Sequence, residues 1–441
     1  MNVLDSERIG DILCEAGWEP AENEEQADVV IFNTCCVRAS AENRAIGRLT
    51  LLKPWRSEKK DRRLALCGCI AQKDGQTLLD RFPFLDLVVG ARDFHRLPGL
   101  VEYTLQTGER VAETAGITSS RPAIPTPRSP RGVTSFVTIM YGCDNFCSYC
   151  IVPMVRGREH SRPKHEIISE IQSLVEKGVK EVTLLGQNVN SYRDPDSGMD
   201  FPDLLEAVNG VSGLDRIRYT TSHPKDASEK LIRAVSRLTR VCENFHIPAQ
   251  AGSDSVLQGM KRGYTRGNYL DLVRKIRRAV PGAVITTDLM VGFPGETRED
   301  FEQTLDLCRK VRFDAAFMFV YSVRPGTAAA ELPDDVSPEE KKRRIQELIT
   351  LQEEISTEKN SQMEGRTVEV LVEAPASRGD GMMAGKERGG RTVVFHANPH
   401  VVGKIVKVRV ARSTPHTLIG EIETRKDAVS SLDMAQTQEY R

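Results

Sequence analysis

The 441-residue sequence lacks three features that would assign it to a common class of protein. It has no apolar run of about 18 residues, so no membrane-spanning helix is expected. No basic segment followed by an apolar one opens the chain, so no secretory signal is expected. The formal net charge is −1, so any contact with nucleic acid must use a local basic patch, because there is no global attraction.

The sequence does contain ten cysteines. Without a secretory signal, we expect the protein in the reducing cytoplasm. There, clustered cysteines bind metals or take part in chemistry more often than they form disulfides. Hydrophobic residues make up 39% of the chain and charged residues 28%, a composition typical of globular domains with a sizeable core.

The N-terminal block, residues 1–103, alternates short apolar strands with helical patterns. Strands are predicted at 27–34, 63–68 and 86–90. This alternation favours a parallel sheet covered on both faces. A segment rich in proline and arginine within 104–132 predicts an extended linker.

The central block, residues 133–363, repeats a strand-then-helix unit six times. Six units are too few for an eight-stranded barrel, so the sequence predicts a partial (β/α)6 barrel. Its strands are predicted at 134–141, 181–186, 216–222, 241–247, 284–292 and 314–322. Polar or glycine-rich residues follow every strand, at the end where parallel barrels place function.

The C-terminal block, residues 364–425, has strand patterns and little helix, so a small all-β barrel is expected. Residues 426–441 carry no core signal and are predicted to be a tail. The predicted fold class is therefore α/β: a parallel N-terminal domain, truncated at its first strand, then a partial barrel and an all-β barrel.

Three cysteines, Cys143, Cys147 and Cys150, follow the first barrel strand in a C-x3-C-x2-C pattern. Three thiolates are one fewer than a closed zinc or iron–sulfur site requires. The fourth ligand could be Cys242, a histidine, or nothing, and the last case leaves one iron of a 4Fe–4S cluster open. A structural zinc site is the simpler alternative.

Longer segments around these cysteines carry a family resemblance. They read GCDNFCSYCIVPMVRGREHSRP, LLGQNVNSY, HIPAQAGSDSVLQGMKRGYTR, TDLMVGFPGETREDF and YSVRPGTAA. The chain resembles the radical S-adenosylmethionine (SAM) methylthiotransferases over almost its whole length. NVNSY and NTCCVRASAENRAIGRL are similar to the branch that modifies tRNA. The resemblance implies a C-terminal TRAM domain, a small RNA-binding barrel.

The resemblance also implies the site residues. Cys143, Cys147 and Cys150 would bind the radical cluster, and Tyr149 would contact the adenine region of SAM. Five further residues at strand ends would hold the remaining parts of SAM: Gly186, Gln187, Ser222, Gln250 and Asp288. For these five, loop geometry or core packing is an equally good explanation. Gly292 and Gly295 are expected to serve as turn glycines, and His223 and His246 to be structural.

In the family, the N-terminal domain binds an auxiliary 4Fe–4S cluster through three cysteines. Cys35 and Cys69 match two of them. The third should lie two residues before Met1, so we expect that the true chain starts upstream. If it does not, Cys14, Cys36 and Cys67 are the nearby replacements. Strand alternation should point Cys67 away from Cys69.

The resemblance implies a reaction that uses two SAM molecules, one donating a methyl group and one yielding the radical. The product would carry a methylthio group at C2 of an N6-isopentenyladenosine beside the tRNA anticodon. No catalytic acid or base is identifiable. We expect a cytoplasmic monomer whose linker and third block grip RNA phosphates; the sulfur and electron donors are not evident.

Three alternatives stay open at this point. The enzyme could act on threonylcarbamoyladenosine of tRNA or on an aspartate of a ribosomal protein. In a different class, the chain could be a non-catalytic RNA-binding protein stabilised by zinc.

Overall fold

The computed structural model describes residues 1–36, 39–114 and 132–423. They form an N-terminal α/β unit, a central partial barrel and a C-terminal closed β-barrel. This arrangement confirms the predicted α/β class and its three units; the truncation expected at the first strand stays a prediction. No helix within the described residues is long and apolar enough to span a membrane.

The N-terminal unit is a four-stranded parallel sheet in the order β1-β2-β3-β4. Its strands are β1 (Val29–Thr34), β2 (Arg63–Gly68), β3 (Leu87–Gly90) and β4 (Val111–Glu113). Its helices are α1 (Asn2–Glu15), α2 (Ala39–Leu51), α3 (Lys53–Glu58), α4 (Cys69–Asp74), α5 (Gln76–Arg81) and α6 (Leu97–Thr107).

Strand β2 is buried along its whole length because helices cover both faces of the sheet. Leu64 and Leu66 face one apolar cluster, whereas Ala65 and Cys67 face the other. This alternation is the reason for the strand's unbroken apolar pattern. It also turns Cys67 away from Cys69, as the sequence predicted.

The N-terminal unit extends further than its predicted end at residue 103. Helix α6 continues to Thr107, and β4 pairs in parallel with β3. The predicted start of the linker, residue 104, is therefore too early. The boundary was missed because a three-residue strand gives too short a pattern to recognise. Residues 115–131, which hold most of the proline- and arginine-rich segment, lie outside the described residues.

The central unit contains six parallel strands in sequential order. Strands β5, β8 and β9 form one half and β10, β11 and β12 the other, with a single parallel bridge between Ile217 and Val241 joining them. The strands are β5 (Thr134–Thr138), β8 (Glu181–Leu185), β9 (Arg216–Thr220), β10 (Asn244–His246), β11 (Val284–Val291) and β12 (Ala315–Val320). Two short strands, β6 (Met140–Tyr141) and β7 (His160–Ser161), form a separate antiparallel pair.

The helices of this unit are α7 (Val152–Arg156), α8 (Lys164–Glu176), α9 (Phe201–Asn209), α10 (Glu229–Arg237), α11 (Asp254–Gly259), α12 (Arg266–Ala279), α13 (Arg298–Val311) and α14 (Pro338–Ser361). All except α7 and α11 pack on the outside of the strands around the largest apolar cluster. Helix α7 packs against the N-terminal unit, and α11 packs in a separate small cluster. Three helices of the unit begin with reciprocal capping boxes, at Asp200, Thr265 and Thr297. These caps fix where each helix starts after its loop.

The C-terminal unit is a closed five-stranded barrel in the order β13-β14-β15-β17-β16. Its strands are β13 (Thr367–Pro375), β14 (Met382–Glu387), β15 (Thr392–His396), β16 (Ile405–Ser413) and β17 (Thr417–Ile422). Alternate residues such as Val370, Phe395 and Val408 fill its interior. The predicted tail, residues 426–441, lies outside the described residues.

Candidate functional site

The three central cysteines lie on a loop between β6 and α7 that is fixed by backbone contacts. The amide of Ser148 donates to the carbonyl of Met260, and the carbonyl of Ser148 accepts from the amide of Ala329. The hydroxyl of Ser148 also donates to the carbonyl of Gly259. The loop is therefore held between α11 and the segment after β12, at the carboxyl end of the barrel.

Two polar side chains donate to the cysteine sulfurs. The Asn145 amide lies 3.3 Å from the sulfur of Cys143. The Arg262 guanidinium lies 3.2 Å from the sulfur of Cys147, and its other nitrogens contact the Pro248 carbonyl and the Tyr264 hydroxyl. Arg262 is only 5% exposed, so a fixed positive charge is buried beside one thiol.

The thiols form one electrostatic group. Burial raises the pKa of Cys143 and raises the pKa of Cys150 to about 12, with the charges of Cys147 and Cys143 adding to the second shift. The apo site therefore favours thiols at Cys143 and Cys150, and iron would have to displace those protons on binding. Three cysteines are one fewer than the four irons of a 4Fe–4S cluster, so such a cluster on this loop would have one iron without a cysteine.

Neither the geometry of the three thiols nor Cys242 forms a closed four-ligand site at this loop. Across residues 1–36, 39–114 and 132–423, no three His, Cys, Asp or Glu side chains gather as a single metal ion requires. Cys242, a possible fourth ligand, lies near Arg216, Arg218 and Arg388, whose charges act on its thiol. Those arginines lie at the amino end of the barrel, so Cys242 does not complete the set.

A cavity of about 510 Å³ opens beside the cysteine loop. Four of the predicted residues border it: Tyr149, Cys150, Gln250 and Asp288. Met290, Phe319 and Tyr321 supply apolar and aromatic walls. Its size and its mixture of apolar walls with a few polar groups are typical of a cofactor site.

Three of the predicted SAM contacts do not border this cavity. A Cβ on Gly186 would lie 2.5 Å from Cγ of Met140, so close packing explains that glycine. The Gln187 amide contacts the sulfur of Met1. The hydroxyl of Ser222 donates to the side chain of Asn190 at 3.2 Å. Their assignment as SAM contacts stays a prediction, with packing and loop geometry as observed alternatives.

The residues expected to be structural have local partners. Gly292 and Gly295 have φ values of 73° and 79°, which glycine adopts without steric cost. Burial lowers the pKa of His223 to about 2, so its ring is neutral, and it packs edge-on against Tyr264. His246 shares a hydrogen bond of 3.0 Å with Thr286.

A second group of cysteines lies in the N-terminal unit, where β1 and β2 end. The Cys36 thiol donates to the sulfur of Cys69, and Cys35 lies close enough to act on Cys36. The pKa of Cys69 is lowered to about 6, first by this hydrogen bond and then by Arg156. The structure therefore brings the two predicted auxiliary ligands, Cys35 and Cys69, into one neighbourhood.

Of the three possible replacement ligands, only Cys36 is part of this group. Cys67 is buried on the opposite face of the sheet, and Cys14 is exposed near the end of α1. The amino group of Met1 lies near enough to Cys35 for the two to interact electrostatically. The ligand expected before Met1 stays a prediction.

Charged side chains join the N-terminal unit to the barrel above the cavity. Arg156, on α7, donates to Asp5 of α1 at 2.7 Å and to the sulfur of Cys69 at 3.2 Å. Arg324, which borders the cavity, pairs with Glu42 of α2 at 2.8 Å. The two groups of cysteines therefore face a common interface.

Sequence reasoning missed Arg156, Arg262 and the strained backbone near them. Both arginines lie within the family-like segments, but polar partners across a fold leave no periodic signal. Thr221 and Gln250 have positive φ values of 69° and 66°, which non-glycine residues rarely adopt and which cluster at functional sites. No local pattern in the sequence marks either residue.

Three family models match the chain. They are the Radical SAM superfamily at residues 137–308, the Uncharacterized protein family UPF0004 at residues 1–90, and the TRAM domain at residues 361–422. The match to the first covers the cysteine loop and four of the six barrel strands in full, β8 to β11.

Among solved structures, the chain is similar to the radical S-adenosylmethionine methyltransferase TsrM from Kitasatospora setae, which has cobalamin and a [4Fe-4S] cluster bound. The TM-score is 0.55 at 15% identity, covering 74% of each chain. The cobalamin-dependent S-adenosylmethionine radical enzyme OxsB gives a TM-score of 0.52 at 11% identity, over 79% of this chain and 53% of the other. At these identities, the likeness shows the fold alone.

Curated relatives are far more similar in sequence. The tRNA-2-methylthio-N(6)-dimethylallyladenosine synthase of Desulforamulus reducens is 48% identical, over 96% of this chain and 93% of the relative. The protein of the same name from Carboxydothermus hydrogenoformans is 49% identical, over 93% and 94%. With this identity along the whole chain and with all three domains matched, the protein belongs to the tRNA-2-methylthio-N(6)-dimethylallyladenosine synthase family of radical SAM enzymes.

Proposed function

We propose that this protein is a radical SAM methylthiotransferase that adds a methylthio group to C2 of N6-isopentenyladenosine beside the anticodon of tRNA. The observation that carries the proposal is the cavity beside the cysteine loop. Cys150, Tyr149, Gln250 and Asp288 line this one cavity. The unit that holds Cys35 and Cys69 contacts its edge. Relatives nearly half identical in sequence carry the corresponding enzyme name.

The cofactors are SAM and a 4Fe–4S cluster, for which Cys143, Cys147 and Cys150 are the proposed ligands. When bound, they supply the radical that takes hydrogen from the adenine. Cys35 and Cys69 would hold the auxiliary cluster, with a third ligand still to be identified. Tyr149, Gln250 and Asp288 are proposed to hold SAM; Gly186, Gln187 and Ser222 stay weaker proposals because each has a local partner.

The chain's own residues prepare the site. The contacts of Ser148 hold the cysteine loop against α11 and the segment after β12. The N-terminal unit contacts the edge of the cavity through the Arg324–Glu42 pair, and a cover at this position would protect reactive intermediates from water. No acid or base is required of the protein for hydrogen abstraction, in agreement with a cavity whose walls are mostly apolar.

Arg262 should tune the radical cluster, because hydrogen bonds and charge near the sulfurs set the potentials of iron–sulfur centres. We expect Arg262→Gln to make the cluster potential more negative, since a positive charge beside Cys147 stabilises the reduced state. The expected shift is on the order of 60 mV, which is tenfold in a one-electron equilibrium. Redox titration followed by electron paramagnetic resonance measures it.

Arg158 supplies the matched control for that measurement. It pairs with Asp144 in the same loop region, but its side chain is 73% exposed, so solvent screens its charge. Arg158→Gln should leave the potential in place. Equal potentials in wild type and Arg262→Gln, at equal iron content, would show that Arg262 only supports the loop.

The decisive experiment on function uses a bacterial strain that lacks its own enzyme of this family. Expression of this chain should restore 2-methylthio-N6-isopentenyladenosine in tRNA, measured by mass spectrometry of nucleosides. Gain of the methylthio group on threonylcarbamoyladenosine, or on a ribosomal-protein aspartate, would instead support one of the other two enzymes. Colourless, zinc-containing protein without SAM cleavage would support the non-catalytic alternative.

The proposed macromolecular partner is tRNA, with the anticodon loop as substrate. The target base must be unstacked to reach an enclosed site, as single-stranded RNA loops permit. The C-terminal barrel, matched by the TRAM model, is proposed to contribute RNA contacts. We propose that the enzyme acts as a monomer in the cytoplasm; the sulfur and electron donors are not assigned.

A further inference from the structure

The cysteine loop carries an exposed aromatic residue that the mechanism above does not use. The side chain of Phe146 is 50% exposed, although Cys147 beside it is buried. Among residues 142–151, all of which the structure describes, no other large apolar side chain is exposed. A single exposed apolar residue is ordinary on a protein surface, but the backbone and the surroundings of Phe146 are not.

The backbone of Phe146 is strained. Its φ of 47° lies in the left-handed region, which bulky residues rarely adopt. Such strain persists only where the surroundings impose it, and it clusters at functional sites. Here Asn145 donates to the sulfur of Cys143, and the sulfur of Cys147 accepts from Arg262. Contacts to sulfur on both sides therefore hold the ring at the surface, one residue from a proposed cluster ligand.

An arginine lies over the exposed ring. The guanidinium carbon of Arg158 is 5.1 Å from the centre of the Phe146 ring, which is a cation–π arrangement. Arg158 also pairs with Asp144, and the arginine is the more exposed partner, since the side chains are 73% and 38% exposed. The surface beside the ring is therefore cationic at its outermost atoms.

Two lysines extend this surface. Lys261 is exposed just after α11, on the segment that holds the cysteine loop. Lys225 pairs with Asp226 and is again the more exposed partner, with side chains 41% and 22% exposed. The charges of Lys225 and Asp144 both act on Glu159, which places this lysine near the loop.

These four residues form a surface that we call the Phe146 face: Phe146, Arg158, Lys225 and Lys261. Its three cations are matched in number by the three nearby carboxylates, but in both ion pairs the cation extends further into solvent. An aromatic residue among exposed cations is suited to a small interface with an acidic protein.

The Phe146 face is separate from the cavity. The cavity is bordered by the second half of the cysteine loop, from Tyr149 to Val152. Phe146 lies in the first half of the loop and is not among the residues that line the cavity. A protein bound at this face would therefore approach Cys147 without occupying the proposed SAM site.

The proposed reaction creates a need for such a protein. One electron is consumed for each SAM that is cleaved to a radical. It passes from a donor through the radical cluster to SAM, where the bond between sulfur and C5′ breaks and yields methionine and the 5′-deoxyadenosyl radical. The oxidised donor must then leave, so a small and weak interface is expected, as is typical of electron-transfer pairs.

We propose that the Phe146 face is the docking surface for a small acidic protein that carries a low-potential one-electron centre. This inference rests on the proposed function, which sets the need for the electron. Phe146 supplies the apolar contact, and the exposed cations attract the acidic partner. A donor at this face lies one residue from Cys147, so the electron has a short path to the proposed cluster.

The first test measures binding. The probe is an acidic bacterial ferredoxin, an iron–sulfur protein of low potential, and its binding to the anaerobically reconstituted protein is followed by fluorescence anisotropy. We expect Phe146→Ala to bind this ferredoxin about tenfold more weakly, since truncation of a central aromatic contact has about this effect. Added salt should weaken binding to the wild type, because it screens the exposed cations.

The second test distinguishes docking from a role in the site itself. With reduced ferredoxin below saturation, Phe146→Ala should form 5′-deoxyadenosine about tenfold more slowly than wild type. With dithionite, a small reductant that needs no docking surface, the two proteins should cleave SAM at equal rates. Their iron contents should also be equal.

Two further variants complete the design. Lys261→Glu reverses an exposed charge and should also weaken ferredoxin binding, so the inference stays testable if Phe146→Ala does not fold. Tyr103→Ala is the matched control, because Tyr103 is 42% exposed on α6 of the N-terminal unit. It should change neither ferredoxin binding nor the rate with either reductant.

Equal ferredoxin affinities in wild type and Phe146→Ala would contradict the inference, as would an equal loss of SAM cleavage with both reductants. If Phe146→Ala weakens binding of an anticodon stem-loop RNA and not of ferredoxin, the face contacts RNA and the inference is wrong. If wild type cleaves SAM with neither reductant, the proposed function fails. Cleavage with dithionite in a protein that does not bind ferredoxin contradicts the docking surface alone, so the two failures are distinguishable.

Discussion

Replacement of Cys143, Cys147 and Cys150 by alanine should remove about four irons per chain and reduce SAM cleavage to background. The physical reason is that these thiols are the only cysteines on the fixed loop beside the cavity, within the described residues. Iron and sulfide analysis after anaerobic reconstitution measures the first effect. Formation of 5′-deoxyadenosine measures the second.

Cys242→Ala is the control, since Cys242 is buried among arginines at the other end of the barrel. It should retain full iron content and SAM cleavage. Retention of iron by the triple variant, or its loss from Cys242→Ala, would contradict the proposed ligand set.

The same analysis separates the two sites. If wild type binds about eight irons and the triple variant about four, an auxiliary cluster assembles on this 441-residue chain. Cys36→Ala then tests whether Cys36, which contacts Cys69, is its third ligand. If wild type binds about four irons and the triple variant almost none, only the radical cluster forms, and SAM should be cleaved without sulfur insertion.

Much of the fold could be predicted because periodicity and strand ends are local properties. The six barrel strands, and three of the four strands in the N-terminal sheet, have apolar patterns long enough to recognise. Strand β4 was missed because three half-buried residues give no such pattern. Its place in the sheet depends on pairing with β3, which is a property of the tertiary fold.

The candidate site was only partly predictable, for a related reason. Cys143, Cys147 and Cys150 are close in sequence, so their grouping could be read directly. Gln250 and Asp288 reach one cavity from different strands, and only the position of strand ends suggested them. Gly186 could not be separated from a packing glycine, since the contact with Met140 depends on three-dimensional packing.

Buried ion pairs between domains were the least predictable feature. Arg156 lies 151 residues from Asp5 along the chain, and nothing local to either residue indicates the partner. Their side chains are 10% and 5% exposed, so the pair is largely removed from water. Loss of one partner then leaves a charge that is neither solvated nor neutralised.

Arg156→Ala should therefore loosen α1 from the barrel. Breaking a buried pair of this kind costs about 3–5 kcal/mol, because Asp5 keeps its charge without its cation. Since α1 carries Asp5, its local opening free energy should fall most. Hydrogen–deuterium exchange of the α1 amides should become about a hundredfold faster or more, as each 1.4 kcal/mol is tenfold.

Two further variants serve as a control and as a rescue for this prediction. Arg158→Ala removes an exposed pair with Asp144, with side chains 73% and 38% exposed, and such pairs are worth about 0–1 kcal/mol. It should leave α1 exchange unchanged. Asp5→Asn combined with Arg156→Ala should recover part of the loss, because the uncompensated charge is gone. Unchanged α1 exchange in Arg156→Ala would mean that apolar packing alone holds the N-terminal unit over the cavity.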